Sequence, residues 1–241
     1  ALFVGIAIPM SMLMSFFILN AMGITLNMMT LFSLILAPLS VRKPGGALDK
    51  AIGYFTSIGL SVPGFVIGIV LILVFSLKFQ ILPSRGFTPL TESVTENLQL
   101  MILPSITGGL TATPYLVRYL RASMLEIKQS PFIRTAEGKG LSGSRIMFRH
   151  ILPNSLVPAL TMLGLIVGYT LSGVVVIEYM FGLPGIGSLA IESAFKRDYA
   201  VIQGVALTII TLFIVTTFLF DLLCGLVDPR LRVNKEEKLE A

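Results

Sequence analysis

The sequence predicts an all-α fold, a polytopic transmembrane bundle of about six helices. Three observations support this fold class. The 241-residue chain is 54% hydrophobic and only 13% charged, whereas soluble domains carry about 25% charged residues. Its apolar runs reach the ~20 residues that a helix needs to cross a bilayer. Lys and Arg are concentrated in alternate connections between these runs, as the positive-inside rule describes.

Six apolar runs are the predicted spans, at residues 2–20, 24–41, 51–79, 98–122, 155–177 and 200–226. Proline is expected to interrupt two of them, at Pro38 in the second run and at Pro63-Gly64 in the third. The fourth run contains Pro104 and Pro114. Membrane helices tolerate such residues where neighbouring helices satisfy the backbone.

Basic residues orient the predicted spans. Residues 118–149 contain seven Lys or Arg and two acidic residues. The turn at 42–50 contains three Lys or Arg and one acidic residue. The connections at 80–97 and 178–199 are acidic or balanced. Because the positive-inside rule counts Lys and Arg, the first two segments are predicted to be cytoplasmic. With six spans, both termini then face the cytoplasm as well.

The composition excludes several classes of function. One histidine, His150, and one cysteine, Cys224, leave no ligand set for zinc or haem, and we expect Cys224 to be buried in packing. No nucleophile stands beside a base, so we do not expect an enzyme. The excess of 18 Lys and Arg over 13 acids reflects topology and not nucleic-acid binding. Because the chain begins without Met or a basic leader, we expect it to start inside a longer reading frame.

The longest polar interruption of the chain begins at Ser130 and contains polar, basic and helix-punctuating residues in an ordered pattern. Ser130 is the predicted N-cap of a short helix over residues 131–139, which has proline in its first turn. Gly140 is expected to supply the C-terminal turn of this helix. A second short helix is predicted to begin after Ser142 and to end at about His150.

Two short helices joined at a glycine would make a rigid projection, which we call the polar knob (residues 131–150). Phe132 and Ile133 are expected near its tip, and Arg134 and Lys139 would offer charge to a partner. The alternative is a solvated basic linker without a docking role.

The polar knob resembles the cytoplasmic loop of importer-type ABC transporter permeases. The matching residues are Arg134-Thr135-Ala136, Gly140 and His150-Ile151-Leu152-Pro153. The family pattern is Glu-Ala-Ala, a Gly four residues after the last Ala, and Ile-x-Leu-Pro ten residues after that Gly. Here Arg134-Thr135 replaces Glu-Ala and His150 stands in the Ile position. Both departures are similar to the dipeptide, oligopeptide and nickel branch of the family.

Further segments resemble motifs of the same branch, and they are residues 61–65, 82–86, 117–122, 176–187, 197–204 and 228–230. The resemblance covers residues 38–232, which we expect to form the permease transmembrane domain, followed by a charged cytoplasmic tail at 233–241.

The resemblance implies a membrane-spanning permease subunit of an ATP-driven importer for peptides or a related small solute, in a bacterial inner membrane. It implies no cofactor on this chain, because ATP is hydrolysed in separate subunits. The implied partners are two ATP-binding subunits, a second homologous permease and a soluble extracytoplasmic substrate-binding protein, with no nucleic acid.

The resemblance also implies two sets of site residues. The ATPase-coupling residues would be Phe132, Ile133, Arg134, Thr135, Ala136, Lys139, Gly140, His150, Leu152 and Pro153. The residues of an outer gate or docking surface for the binding protein would be Glu178, Gly182, Pro184, Gly185 and Gly187. Phe132 and Ile133 would be apolar anchors in an ATPase groove, and the loop at 80–97 would be a second outer docking surface.

Residues 1–37 resemble instead two adjacent spans of a resistance-nodulation-division exporter, so we expect a join near Ala37. In that family an acidic pair follows and carries protons, but here no acid precedes Asp49. Proton coupling is therefore not carried over. The alternatives to an importer subunit are a truncated or fused membrane protein without transport activity and, less favoured, a fragment of a proton-driven exporter.

The translocation path is marked less clearly by the sequence. Asp221 lies near the inner end of the last span and is expected to play a structural role, snorkelling or pairing with Arg230. Several hydroxyl side chains either line a path or make helix-packing contacts. They are Ser57, Thr107, Thr111, Thr113, Tyr169, Thr170 and Ser172.

Overall fold

The computed structural model describes residues 29–227, without the side chains of 157, 160, 169–174 and 223–227. The predicted first span, the tail and Arg230 lie outside this range, and so does the side chain of Cys224. All regular structure within the range is helical, which confirms the predicted all-α class.

Nine helices follow one another along the described chain. They are α1 (Met29–Arg42), α2 (Ala47–Ser61), α3 (Gly64–Leu71), α4 (Val94–Lys128), α5 (Pro131–Gly138), α6 (Gly143–Ile146), α7 (Leu152–Phe181), α8 (Ile186–Lys196) and α9 (Tyr199–Val227). A π-helical segment, Ile72–Lys78, continues α3, and another, Met147–Ile151, joins α6 to α7.

Two helices in the described range are long and apolar enough to cross a membrane: α4, with 35 residues, and the Tyr199–Leu222 part of α9, with 24 residues. Three bent helix pairs pass the same test if each pair is one span, which raises the number to as many as five. One of these pairs joins Val175–Phe181 to α8 through a bend of 83°, the geometry of a broken span or a re-entrant loop. The predicted outer connection at 178–199 therefore contains an apolar helix.

We expected proline to break the helix in two of the predicted spans, and it does so in one of them. α2 ends at Ser61 and α3 begins at Gly64, so the break predicted at Pro63-Gly64 is confirmed. A Cβ atom on Gly64 would lie 2.8 Å from Oγ1 of Thr111, so glycine permits this close approach. The break predicted at Pro38 is wrong, because α1 continues through it to Arg42. A proline removes only one backbone hydrogen bond, and a membrane helix can absorb that loss.

The described chain divides into two compact units. The first unit contains residues 59–112 and 168–214, and its core joins α4 to the end of α7 through Leu103, Phe181 and Leu183. The second unit contains residues 30–58, 113–167 and 215–227. Its core cluster joins α1, α4, α5, α6 and α7. The buried members of this cluster are Ala37, Val41, Leu120, Met124, Ile133, Ala136, Ile146, Met147, Ile151 and Ala159.

Candidate functional site

The first helix of the polar knob begins and ends close to where the sequence places it. α5 starts at Pro131, and Ser130 occupies the N-cap position with extended backbone angles. The Ser130 hydroxyl does not cap α5, however, because it donates to the carbonyl oxygen of Ile127 at 2.5 Å. Gly140 adopts φ +75°, the left-handed conformation that favours glycine, and its N–H donates to the Glu137 carbonyl at 2.9 Å.

The second half of the polar knob is not a separate short helix, so that prediction is wrong. α6 passes through the π-helical segment directly into α7, and the chain remains helical across His150. Ile146, Met147 and Ile151 are 2–8% exposed and pack into the core of the second unit. This burial holds the segment against α5, and the knob is therefore built on the first turns of a long helix.

The polar knob has an inner and an outer face, and they divide the predicted coupling residues. Ile133 and Ala136, three residues apart on α5, are 1% and 7% exposed and belong to the core cluster. The expectation that Ile133 anchors a partner's groove is therefore wrong, because its side chain is already occupied by internal packing. Phe132 is 47% exposed, and it remains the apolar side chain of α5 that a partner can reach.

The remaining predicted coupling residues are distributed around Phe132 and along the following segment. Exposed residues are Arg134, Thr135, Lys139, Gly140 and Pro153, and half-buried residues are His150 and Leu152. The Thr135 hydroxyl donates to the carbonyl oxygen of Pro131 at 3.2 Å, within α5. The exposed residues of α5 thus include Phe132, Arg134 and the acid Glu137, and the exposed Lys139 follows the helix.

A salt bridge in the second unit was not predicted as part of the site. Arg121 of α4 donates from Nε to Oδ1 of Asp49 and from Nη2 to Oδ2, each at 2.8 Å. The Asp49 side chain is only 9% exposed, and its Oδ2 also accepts the Gly45 N–H at 2.9 Å. In the sequence, both residues stand out only as charges that orient the spans. Arg121 lies in the 117–122 motif, which was the available signal.

Glu178 organises the glycine-rich turn of the first unit, which is formed by residues 182–187. Glu178 is 3% exposed, and its Oε2 accepts the backbone N–H groups of Gly187 at 2.7 Å and Ser188 at 3.1 Å. These groups belong to the first turn of α8, where backbone N–H groups lack helical partners and favour an anion. The Leu183 N–H also donates to the Glu178 carbonyl at 2.9 Å. Glu178 therefore joins the end of α7 to the start of α8.

Three glycines in this turn allow other groups to approach the backbone closely. A Cβ atom on Gly185 would overlap the Glu178 carboxylate, and one on Gly187 would overlap Cα of Val175. Gly182 adopts φ +68°, and a Cβ atom there would lie 2.6 Å from atoms of Arg85. Because Glu178, Gly185 and Gly187 are buried, they do not offer a surface for docking, and the outer gate, the other role that we expected for them, stays a prediction. They form the interior of the turn, while Pro184 and Gly182 are half-buried.

The two predicted outer loops meet within the first unit. The Gly86 N–H donates to the Phe181 carbonyl at 3.0 Å, and the Arg85 guanidinium lies 6.0 Å from the centre of the Tyr179 ring. The loop at 80–97 is thus attached to the glycine-rich turn.

Two of the candidate path residues are packing residues. Thr107 and Thr113 are 0% and 1% exposed. Thr107 donates to the Leu103 carbonyl on its own helix at 2.8 Å. Ser57 and Asp221 are exposed, and the side chains of Tyr169, Thr170 and Ser172 lie outside the described residues.

Comparison with known proteins shows which protein family this chain matches and which proteins it is similar to. The family described as "Binding-protein-dependent transport system inner membrane component" matches residues 29–233. A probable peptide ABC transporter permease protein of Sinorhizobium fredii is 39% identical over 194 residues, which are 80% of this chain and 62% of that protein. The oligopeptide transport system permease protein AppB of Bacillus subtilis is 36% identical over 195 residues, with the same coverage of 80% and 62%.

The match to a third relative covers a slightly larger share of both chains. The dipeptide transport system permease protein DppB of Bacillus subtilis is 33% identical over 216 residues, which are 89% of this chain and 68% of that protein. The chain thus spans 62% of the length of each of the first two relatives.

Solved structures agree on the fold. The MetNI methionine ABC transporter, in an inward-facing conformation, has a chain that matches with a TM-score of 0.62 at 17% identity, covering 89% of this chain and 98% of that one. An amino acid ABC transporter matches with a TM-score of 0.59 at 16% identity, covering 88% and 89%.

Proposed function

The chain belongs to the family of binding-protein-dependent transport system inner membrane components, and from this we propose that it is the permease subunit of an ATP-driven importer of peptides or a related small solute. The observation that carries the proposal is the family match over residues 29–233, which includes the polar knob and the glycine-rich turn. Relatives named as peptide, oligopeptide and dipeptide permeases support the substrate class. The resemblance of residues 38–232 to importer-type permeases is thereby confirmed, and the family match begins nine residues earlier, at residue 29.

The outer face of α5 is the surface to which an ATPase subunit would bind. Phe132 would enter an apolar groove of the ATPase, with Arg134 and Lys139 at the polar rim, as buried aromatic anchors and charged rims are arranged in interfaces. A force on this face is transmitted inward, because Ile133 and Ala136 on the opposite face are packed in the core of the second unit. The polar knob would then move with the helices of that core as one body.

The glycine-rich turn would act at the extracytoplasmic side as part of a gate. Its buried carboxylate and close-packed glycines hold α7 and α8 at a sharp bend, which is the kind of rigid element that moves as a unit. The exposed parts of 80–97 and 188–199 would receive the substrate-binding protein. We place the polar knob and both termini on the cytoplasmic side of the membrane, because Lys and Arg are concentrated in the connections on that side.

The other subunits of the importer would supply what this chain lacks. Two ATP-binding subunits would hydrolyse ATP, a second homologous permease would complete the path, and a soluble binding protein would select the substrate. Differential binding of the ATPases to two conformations of the permease would couple hydrolysis to transport.

Uptake of labelled substrates tests this proposal. The chain is expressed with candidate ATPases, partner permease and binding protein in cells that lack their own peptide importers. We expect uptake of a labelled dipeptide or oligopeptide that requires this chain and an ATPase with an intact ATP site. Nickel uptake in the same cells would reassign the substrate. Uptake that continues with a catalytically inactive ATPase and stops on collapse of the proton gradient would contradict the proposal.

A further inference from the structure

The second unit contains an open cleft, and none of the predicted coupling residues lines it. It has a volume of about 600 Å³, within the ~300–1,000 Å³ typical of small-molecule sites. Its walls come from α1, from the end of α4, from α5 and from the segment that joins α6 to α7. Apolar side chains of α1 and of the π-helical segment form much of the lining, including Leu34, Leu39 and Phe148. These three side chains are 38–63% exposed, so the cleft has accessible apolar walls.

Two cations stand in the same lining. Arg42 is at the end of α1, and Lys128 is at the end of α4. Lys128 donates to the Val41 carbonyl at 3.3 Å, which leaves other N–H groups of its ammonium free to bind a ligand. Glu137 also lines the cleft, but it forms no ion pair with either cation in the described part of the chain. The cleft therefore has a net positive lining.

We propose that this cleft binds an anionic phospholipid of the surrounding bilayer. Arg42 and Lys128 would contact the phosphate of the headgroup, and an acyl chain would lie against Leu34, Leu39 and Phe148. Apolar walls suit the chain, and a basic pocket between membrane helices suits the headgroup. The positive-inside pattern places Arg42 and Lys128 on the cytoplasmic side, where anionic lipids are concentrated. This inference requires only that the chain is a membrane protein and is independent of the transported substrate.

Fluorescence quenching tests the inference directly, because the chain contains no Trp. The Phe148→Trp variant of the full chain carries one reporter at the cleft and is reconstituted in phosphatidylcholine with increasing phosphatidylglycerol. One of the two lipids carries brominated acyl chains, which quench a Trp that they touch. We expect stronger quenching by brominated phosphatidylglycerol than by brominated phosphatidylcholine at equal fractions.

Charge variants then separate the cleft from general surface attraction. Removing Arg42 or Lys128 as Arg42→Gln or Lys128→Gln should lower the preference for phosphatidylglycerol roughly fivefold each. The matched control is Arg145→Gln with Arg149→Gln, which removes two exposed nearby cations outside the lining and should leave the preference unchanged. Glu137→Gln should raise the preference, a gain that misfolding does not produce.

Three results would overturn the inference. The first is equal quenching by both lipids in the parent. The second is an equal loss in the control variant, which would indicate general surface electrostatics. The third is no quenching by either lipid, which would mean that protein, such as residues 1–28 of this chain, fills the cleft.

Discussion

The guanidinium of Arg121 and the carboxylate of Asp49 form two parallel hydrogen bonds of 2.8 Å, although 72 positions separate them in the sequence. The Gly45 N–H adds a third contact to the same carboxylate. Together they tie the turn before α2 to the part of α4 in the second unit. Paired contacts of this kind fix orientation as well as distance.

Loss of this salt bridge should destabilise the protein. Arg121→Gln leaves a largely buried carboxylate with one backbone donor, at a cost of about 1–3 kcal/mol, between the values for exposed and fully buried pairs. The charge-swapped variant Asp49→Arg with Arg121→Asp should recover part of the loss, because the ion pair re-forms while the Gly45 N–H loses its acceptor. Thermal unfolding in detergent measures both changes.

The exposed pair Lys196–Glu192 is the matched control for this experiment. Its atoms are 3.7 Å apart and its side chains are 74% and 60% exposed. Glu192→Gln should therefore leave the unfolding temperature unchanged. An equal shift in the unfolding temperature for Glu192→Gln and Arg121→Gln would show that the Asp49–Arg121 salt bridge stabilises the protein no more than an exposed ion pair.

Removal of the Glu178 carboxylate should loosen the glycine-rich turn. Glu178→Ala leaves the N–H groups of Gly187 and Ser188 without their acceptor, a loss of about 1–3 kcal/mol for buried groups. Hydrogen exchange of these two amides should accelerate, while exchange in the core of the second unit stays as in the parent. Unchanged exchange at both amides would mean that the turn does not depend on this carboxylate.

The close approach at Gly187 should make even a methyl group harmful. Gly187→Ala places Cβ against the backbone of Val175, which cannot move aside without shifting α7. We expect a destabilisation of about 1–3 kcal/mol in thermal unfolding. Gly53→Ala is the control, because a Cβ atom there meets nothing within 4 Å in the described residues. Alanine in this helix should stabilise by about 0.5–1 kcal/mol, so equal losses at both sites would refute the packing argument.

Two neighbouring residues of α5 should respond differently to truncation. Ile133→Ala removes buried methyl groups from the second unit's core and should cost about 2–5 kcal/mol of stability. Phe132→Ala removes a half-exposed ring and should change the unfolding temperature much less. If Phe132→Ala lowers the unfolding temperature more than Ile133→Ala, the assignment of Ile133 to the inner face of α5 and Phe132 to the outer face is wrong.

The sequence predicts the parts of this structure that depend on local rules. Apolar run lengths give α4 and α9, the two helices of the described range that are long enough to cross a membrane, but they do not give the bends of the other runs. Pro131 marks the start of α5, and Gly140 marks a turn that needs a positive φ. The interruption at Pro63-Gly64 has the same local origin. These features follow from backbone sterics and hydrophobicity within a few residues.

Other parts depend on contacts between distant segments. The sequence does not reveal which of Phe132 and Ile133 faces inward, because that depends on side chains of α4 and α6. The burial of Glu178 depends on the return of α8, and the partner of Asp49 lies on another helix. Pro38 was misjudged because a single proline does not decide whether a helix ends.

Co-purification of ATPase subunits tests the central claim, that the exposed face of α5 couples this chain to ATP hydrolysis. The chain is expressed with a candidate peptide-importer ATPase pair and partner permease, and ATPase recovery in detergent is compared among the parent, Phe132→Asp and Phe195→Asp. Phe195 lies on α8 and is 77% exposed, so it controls for a new charge on an exposed phenylalanine. We predict recovery with the parent and with Phe195→Asp, and loss with Phe132→Asp, because a central anchor contributes about 2 kcal/mol or more. Full recovery with Phe132→Asp would contradict the account.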